Sequence, residues 1–164
     1  MSISLPKGKF TVLGPDEIWK LYNDLHGIFR GGGNSAVPKI VRADGPRRKD
    51  LDVRPDPETG LEMVYPNITK GLSFADSVQT LAAKSLEGQV WIIPRGTRIP
   101  KGLVFNVKDY DHPLLNVSEV MSVVQLTALL TELASMMKSC DVKIDRFGKI
   151  IENYPGALKK VVNA

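Results

Sequence analysis

The sequence predicts an α+β domain built on a mainly antiparallel, split sheet. Three observations carry that reading. Short β-branched and aromatic runs recur between Pro- and Gly-rich breaks from Ile28 to Met121, as strands joined by tight turns do. Only three stretches space their apolar residues as helices do. Helices and strands do not alternate one for one, so the βαβ units of a parallel sheet are not expected.

In chain order, Gly14-Pro15-Asp16-Glu17 reads as a helix start, because acidic side chains in a first turn face the positive end of the helix dipole. Ile18, Trp19, Tyr22, Leu25 and His26 follow at helical spacing, and Gly27 is a natural stop. Ile28-Phe29-Arg30 starts a short strand that breaks at Gly31-Gly32-Gly33-Asn34, where missing side chains permit close approach of a ligand or simply a loose turn. Val37 to Asp50 reads as a solvated basic loop or hairpin carrying Arg42, Arg47, Arg48 and Lys49. Leu51 to Arg54 and Leu61 to Tyr65 are strands joined by Pro55-Asp56-Pro57-Glu58-Thr59-Gly60, a strong turn signal. Ser73 closes another strand, and a helix follows with Phe74, Val78, Leu81 and Ala82 on one face. Ser73 and Asp76 have the spacing of a capping box.

The stretch that organises the chain is Val90-Trp91-Ile92-Ile93 and Leu103-Val104-Phe105-Asn106-Val107, on either side of a Pro- and Gly-punctuated segment. Both runs are nearly all apolar, which predicts core strands buried on both faces, with Trp91 largely buried. Pro94 and Pro100 lack an N–H and belong at strand ends. Lys108 to Pro113 is a polar connection, and Leu114 to Met121 a further strand. Val123, Val124, Leu126, Leu129, Leu130, Leu133, Met136 and Met137 form a long helix with a wide apolar stripe. The tail turns at Asp145-Arg146-Phe147-Gly148 and at Tyr154-Pro155-Gly156, and ends basic with Lys159 and Lys160.

The 164 residues are expected to form a single domain over 1–164, large enough for a core without staples. No apolar run approaches the ~20 residues of a membrane span, and the first residues lack the hydrophobic core of a signal peptide. A cytoplasmic product follows, with export left to a specialised machine that reads the folded protein. The single Cys140 forms no intramolecular disulfide. A net charge of +4 favours a polyanionic ligand such as a dinucleotide, RNA or an acidic protein.

Metal chemistry finds no ligand spacing: His26 and His112 are far apart, and there is no HxxxH or CxxC. The glycines open neither a Walker loop nor GxGxxG. Cys140, at the end of an amphipathic helix, reads as a bystander thiol. His26 and His112 are the two groups available for ribonuclease-type acid–base work, although nothing in the sequence joins them. Arg30, Ser73 and Glu119 each have an ordinary explanation, respectively an ion pair, a helix cap and an edge-strand charge. Together they are more suggestive. Arg30 precedes bare backbone, Ser73 ends a strand, and Glu119 alternates with Leu115, Val117 and Met121 on one strand face.

Arg, Ser and Glu on successive strands is the order of the Arg–Ser–Glu mono-ADP-ribosyltransferases, and Phe29-Arg30-Gly31 resembles their first motif. More specifically, Gly60 to about Ala134 resembles the small type VI secretion effector toxins with an ADP-ribosyltransferase-like fold. The carrying residues are Gly60-Leu61, Ser73-Phe74, and above all Trp91-Ile92-Ile93-Pro94-Arg95-Gly96-Thr97-Arg98-Ile99-Pro100-Lys101-Gly102-Leu103. Those toxins tend to show a histidine–aromatic pair before the last strand and a proline after it. Here that region reads Leu115-Asn116-Val117-Ser118-Glu119-Val120-Met121, with Glu119 the candidate third catalytic position.

The resemblance implies split, mainly antiparallel sheets with flanking helices, NAD as substrate and no metal. It implies NAD contacts by Arg30, Gly31, Ser73 and Phe74, and catalysis by Glu119 with Ser73. Arg30 would bind a phosphate or ribose oxygen, while Glu119 would stabilise an oxocarbenium-like transition state. It also implies secretion machinery, an immunity protein, and delivery into a recipient cytoplasm against a macromolecular acceptor, without membrane binding. NAD glycohydrolysis is the related outcome. A non-catalytic binding module on the same fold and a basic, RNA-targeting toxin are the alternatives.

Overall fold

A computed structural model describes residues 3–32, 38–42 and 45–152. Gly33 and Asn34 of the glycine turn, and the tail from Tyr154 onward, lie outside the described residues. The elements are β1 (Thr11–Leu13), α1 (Ile18–Leu21), β2 (Gly27–Gly31), β3 (Asp52–Pro55), β4 (Glu62–Tyr65), β5 (Leu72–Ser73) and α2 (Val78–Ala83). After them come β6 (Gly88–Pro94), β7 (Leu103–Val107), β8 (Leu114–Val117), β9 (Met121–Ser122), α3 (Val123–Met136), β10 (Lys138–Ile144) and β11 (Ile150–Glu152).

The strands form three antiparallel sheets, ordered β1-β7-β8-β5, β11-β10-β6-β2 and β3-β4-β9. This is the expected α+β class with a split sheet. The two apolar runs at the centre of the chain do become strands, and Pro94 ends one of them. They are not hydrogen-bonded to each other. β6 is interior to the second sheet and β7 to the first, so residues 95–102 carry the chain from one sheet to the other. All five β7 residues are buried, whereas β6 alternates and Trp91 is only partly buried at the margin of the core. Trp91 was expected to be largely buried; its place on an alternating strand leaves it partly exposed.

Edge strands β2 and β5 bring the first two sheets together. Phe29 N–H donates to the Ala75 carbonyl and Ala75 N–H to the Phe29 carbonyl, both at 2.8 Å. Beneath this seam, Phe74 and Phe105 meet edge to face, with centroids 5.6 Å apart.

Several expected boundaries move, each for a local reason. α1 is one short turn, because Tyr22 leaves helical geometry (φ −99°, ψ 47°) as its ring enters the core. The cap of α2 is Ser77, whose Oγ accepts from Thr80 N at 3.1 Å, so Ser73 is not the cap. The strand expected from Leu114 to Met121 stops at Val117; Ser118 N–H then donates to the Gly102 carbonyl at 2.9 Å and turns the chain. α3 starts with a capping box between Ser122 and Gln125 and buries Leu126, Leu130 and Leu133. Its apolar stripe is narrower than expected, since Val124 is 80% exposed. Cys140 lies buried within β10 rather than at a helix end, and burial pushes its thiol up to about 12. Among the described residues no helix is long and apolar enough to cross a membrane.

Candidate active site

The seam between the sheets positions the site. Arg30 follows Phe29 out of β2, and Ser73 precedes Phe74 and Ala75 at the end of β5, so the Phe29–Ala75 bridge sets Arg30 and Ser73 side by side. The Arg30 guanidinium donates through Nη1 to the Ser73 carbonyl at 2.7 Å. Through Nε and Nη2 it donates to the Lys39 carbonyl at 3.3 and 3.1 Å. It also lies 5.7 Å from the centroid of the Phe74 ring. Burial lowers the Arg30 pKa from its ordinary value; Asp50 opposes the shift and Arg42 and Arg47 add to it.

β5 is held in place by buried amides. Asn106 of β7 and Asn116 of β8 each donate through Nδ2 to the carbonyls of Asn67 and Lys70, fixing the turn that enters β5. At Gly71 a Cβ would stand 2.8 Å from Leu114 Cβ and the Leu115 carbonyl, so glycine is what lets β5 pack against β8.

The connection between β7 and β8 adds a residue. His112 Nε2 and Ser73 Oγ are 3.0 Å apart, within hydrogen-bonding distance. The loop is fastened at several points. His112 N–H donates to the Asp109 carbonyl at 3.0 Å, and Phe74 N–H to the Pro113 carbonyl at 2.9 Å. The buried Tyr22 hydroxyl donates to the Tyr110 carbonyl at 2.7 Å while the two rings pack 4.7 Å apart. Burial is the main cause that lowers the His112 pKa; Lys84 acts in the same direction and Asp111 and Asp109 oppose it. A neutral imidazole with its proton on Nδ1 can accept from the Ser73 hydroxyl through Nε2 and make Ser73 a better acceptor of hydrogen bonds or a relay for a proton.

An open cleft of about 260 Å³ spreads from this point. One wall is Arg30, Gly31, Gly32, Leu72, Ser73 and Leu86; the other is the basic segment with Lys39, Ile40, Arg42, Arg47, Lys49 and Asp50. Gly32 holds φ +109°, a conformation that suits glycine, whereas a Cβ at Gly31 would find only ordinary contacts, the nearest at 3.5 Å from Leu81. The chemistry this permits is capture of an anion by cations and exposed backbone, beside a serine–histidine pair.

Two expected site residues are placed differently. Phe74 is buried, 1% exposed, so its ring supports Arg30 from below and offers no face to a ligand. Glu119 is not on a strand face. It is exposed in the turn between β8 and β9 and lines a separate cleft with Lys101, Gly102, Met121 and Gln125. The break at Ser118 ends the alternation on which its expected position depended. His26 is exposed at the start of β2, where its carbonyl accepts from Arg95 N. It lies about 13 Å along the strand from Arg30. His112 is the residue that sequence reasoning did not place. The available signal was a histidine fixed by the following proline at the entry to β8, the strand that pairs with β5.

Split antiparallel sheets and a cleft at their seam define the ADP-ribosyltransferase-like class of toxin fold. A family model described as Tse2 ADP-ribosyltransferase toxin matches residues 27–141, from the first residue of β2 into β10. The chain belongs to the Tse2 ADP-ribosyltransferase toxin family. No curated protein and no solved structure matches it.

Proposed function

We propose that this single domain is a bacterial effector toxin that transfers ADP-ribose from NAD to a cytoplasmic target in a recipient cell. The observation that carries this reading is the meeting of Arg30, Gly31, Ser73 and His112 at the seam of the two sheets. Arg30 binds a phosphate or ribose oxygen, Gly31 lets the nicotinamide amide approach the backbone, and Ser73 lines the reacting end. NAD supplies a ribose carbon bonded to a cationic leaving group, so the protein need supply little acid to the departing nicotinamide. His112, held neutral, takes the acceptor's proton directly or through Ser73. No carboxylate is needed at Glu119 in this arrangement. Where water is the acceptor the outcome is NAD glycohydrolysis. Family membership supports a protective immunity protein in the producer and delivery by a type VI secretion machine.

Nicotinamide release from NAD by the purified chain tests this. Arg30→Ala and Ser73→Ala are expected to lower the rate at least ~100-fold with the fold intact, and His112→Asn at least ~10-fold. Glu119→Gln should leave it within about twofold. Toxicity on expression in a sensitive bacterium should follow the same order. A folded Arg30→Ala protein with undiminished turnover removes the reading; NAD binding without turnover would favour a binding module on the same fold.

A further inference from the structure

The cleft carries more positive charge than the diphosphate of NAD neutralises. Among the described residues, Arg30, Lys39, Arg47 and Lys49 line the cleft with a single carboxylate, Asp50. A diphosphate brings about two negative charges at neutral pH, so the surface left for the acceptor stays positive. A second feature stands beside it. At the tip of the β10–β11 hairpin Phe147 is 78% exposed, with the Arg146 guanidinium 4.8 Å from its ring centroid. The tip is braced by hydrogen bonds, since Asp145 Oδ1 accepts from Phe147 N at 2.8 Å and Lys149 N at 2.9 Å.

The hairpin also packs against the end of α2, one residue before the cleft wall. A Cβ at Gly148 would lie 2.8 Å from the Ala82 carbonyl and 3.2 Å from Ser85 Oγ, and the next residue, Leu86, lines the cleft. An aromatic ring presented on a fixed turn, next to a cationic groove, is the combination that binds single strands: phosphates follow the charge and a base stacks on the ring. An acidic protein would answer the charge but gives no reason for an exposed ring with a guanidinium over one face.

We propose that the acceptor is a single-stranded nucleic acid, with phosphates along Lys39, Arg47 and Lys49 and a base on Phe147. The proposal rests on the transferase reading above. A hydroxyl oxygen of the strand forms a bond to the ribose C1′ of NAD as the C1′–N bond breaks. That bonding pair leaves on neutral nicotinamide, and the hydroxyl proton passes to His112 and then to water.

Fluorescence anisotropy of the full chain with labelled ~20-nucleotide RNA and DNA single strands tests binding, and radiolabelled NAD tests transfer. Binding is expected to weaken with salt at a log–log slope of about −2 to −3, as three or four phosphate contacts require. Phe147→Ser should weaken it about tenfold and leave nicotinamide release in the absence of nucleic acid unchanged. Label should pass to the strand. Absence of binding, binding indifferent to Phe147→Ser, or label entering only protein in a cell lysate would each overturn the proposal. Nicotinamide release without a strand reports on the transferase reading separately.

Discussion

His112 shows how a local environment tunes a side chain. Its side chain touches Ser73, and burial together with Lys84 keeps its pKa below the ordinary histidine value. It should remain a competent base when free histidine is half protonated, near about pH 6.5, with activity declining only below that. Stability carries the same sign. Because the folded pKa is the lower one, the unfolded chain takes up the proton first; the contribution is whole above the unfolded value and is lost as pH falls through the folded one. Urea midpoints should therefore fall between about pH 7.5 and pH 5, and His112→Asn should flatten part of that dependence. An equal dependence in His112→Asn would assign it to other groups. Arg30 illustrates the complementary case. Its Phe74 support and its three hydrogen bonds to the Ser73 and Lys39 carbonyls hold the guanidinium in one geometry before any ligand arrives.

At the scale of elements, β6 and β7 look alike in sequence and differ in place. β7 is flanked by β1 and β8 and is buried along its whole length; β6 is flanked by β10 and β2 and keeps an alternating pattern. Phe105 has no exposed surface and contacts Phe74 beneath the site, whereas Trp91 packs at the core margin. Phe105→Ala should therefore cost about 3–5 kcal/mol, and Trp91→Ala about 2 kcal/mol despite the larger ring. Denaturant unfolding of the two variants checks the order, and a larger loss for Trp91→Ala would contradict it. Strand identity was legible here because β-branched and aromatic runs suit a pleat. Strand partners were not, since hydrogen bonds across a sheet join residues with no pattern linking them in the chain.

For the whole molecule, the working feature is the seam at which two sheets share the Phe29–Ala75 bridge. A ligand that bridges Arg30 and Ser73 binds both sheets and should stabilise them together. NAD at about 100 times its dissociation constant should add about 2.7 kcal/mol, which for a domain of this size is about 5–10 °C in Tm. Arg30→Ala should lose that shift; a shift of the same size in the variant would place NAD elsewhere.

The sequence by itself determined the α+β class, most strand positions, among them the short strand that carries Arg30 to Gly31, and the long helix from Val123, because each depends on residues close together in the chain. It also carried the family resemblance that the match over residues 27–141 supports. Tertiary structure alone decided that Phe74 lies beneath Arg30, that Ser73 meets His112, and that Glu119 turns away after Val117. Those outcomes depend on how two sheets pack against each other, and packing is fixed by contacts between residues that the chain keeps far apart.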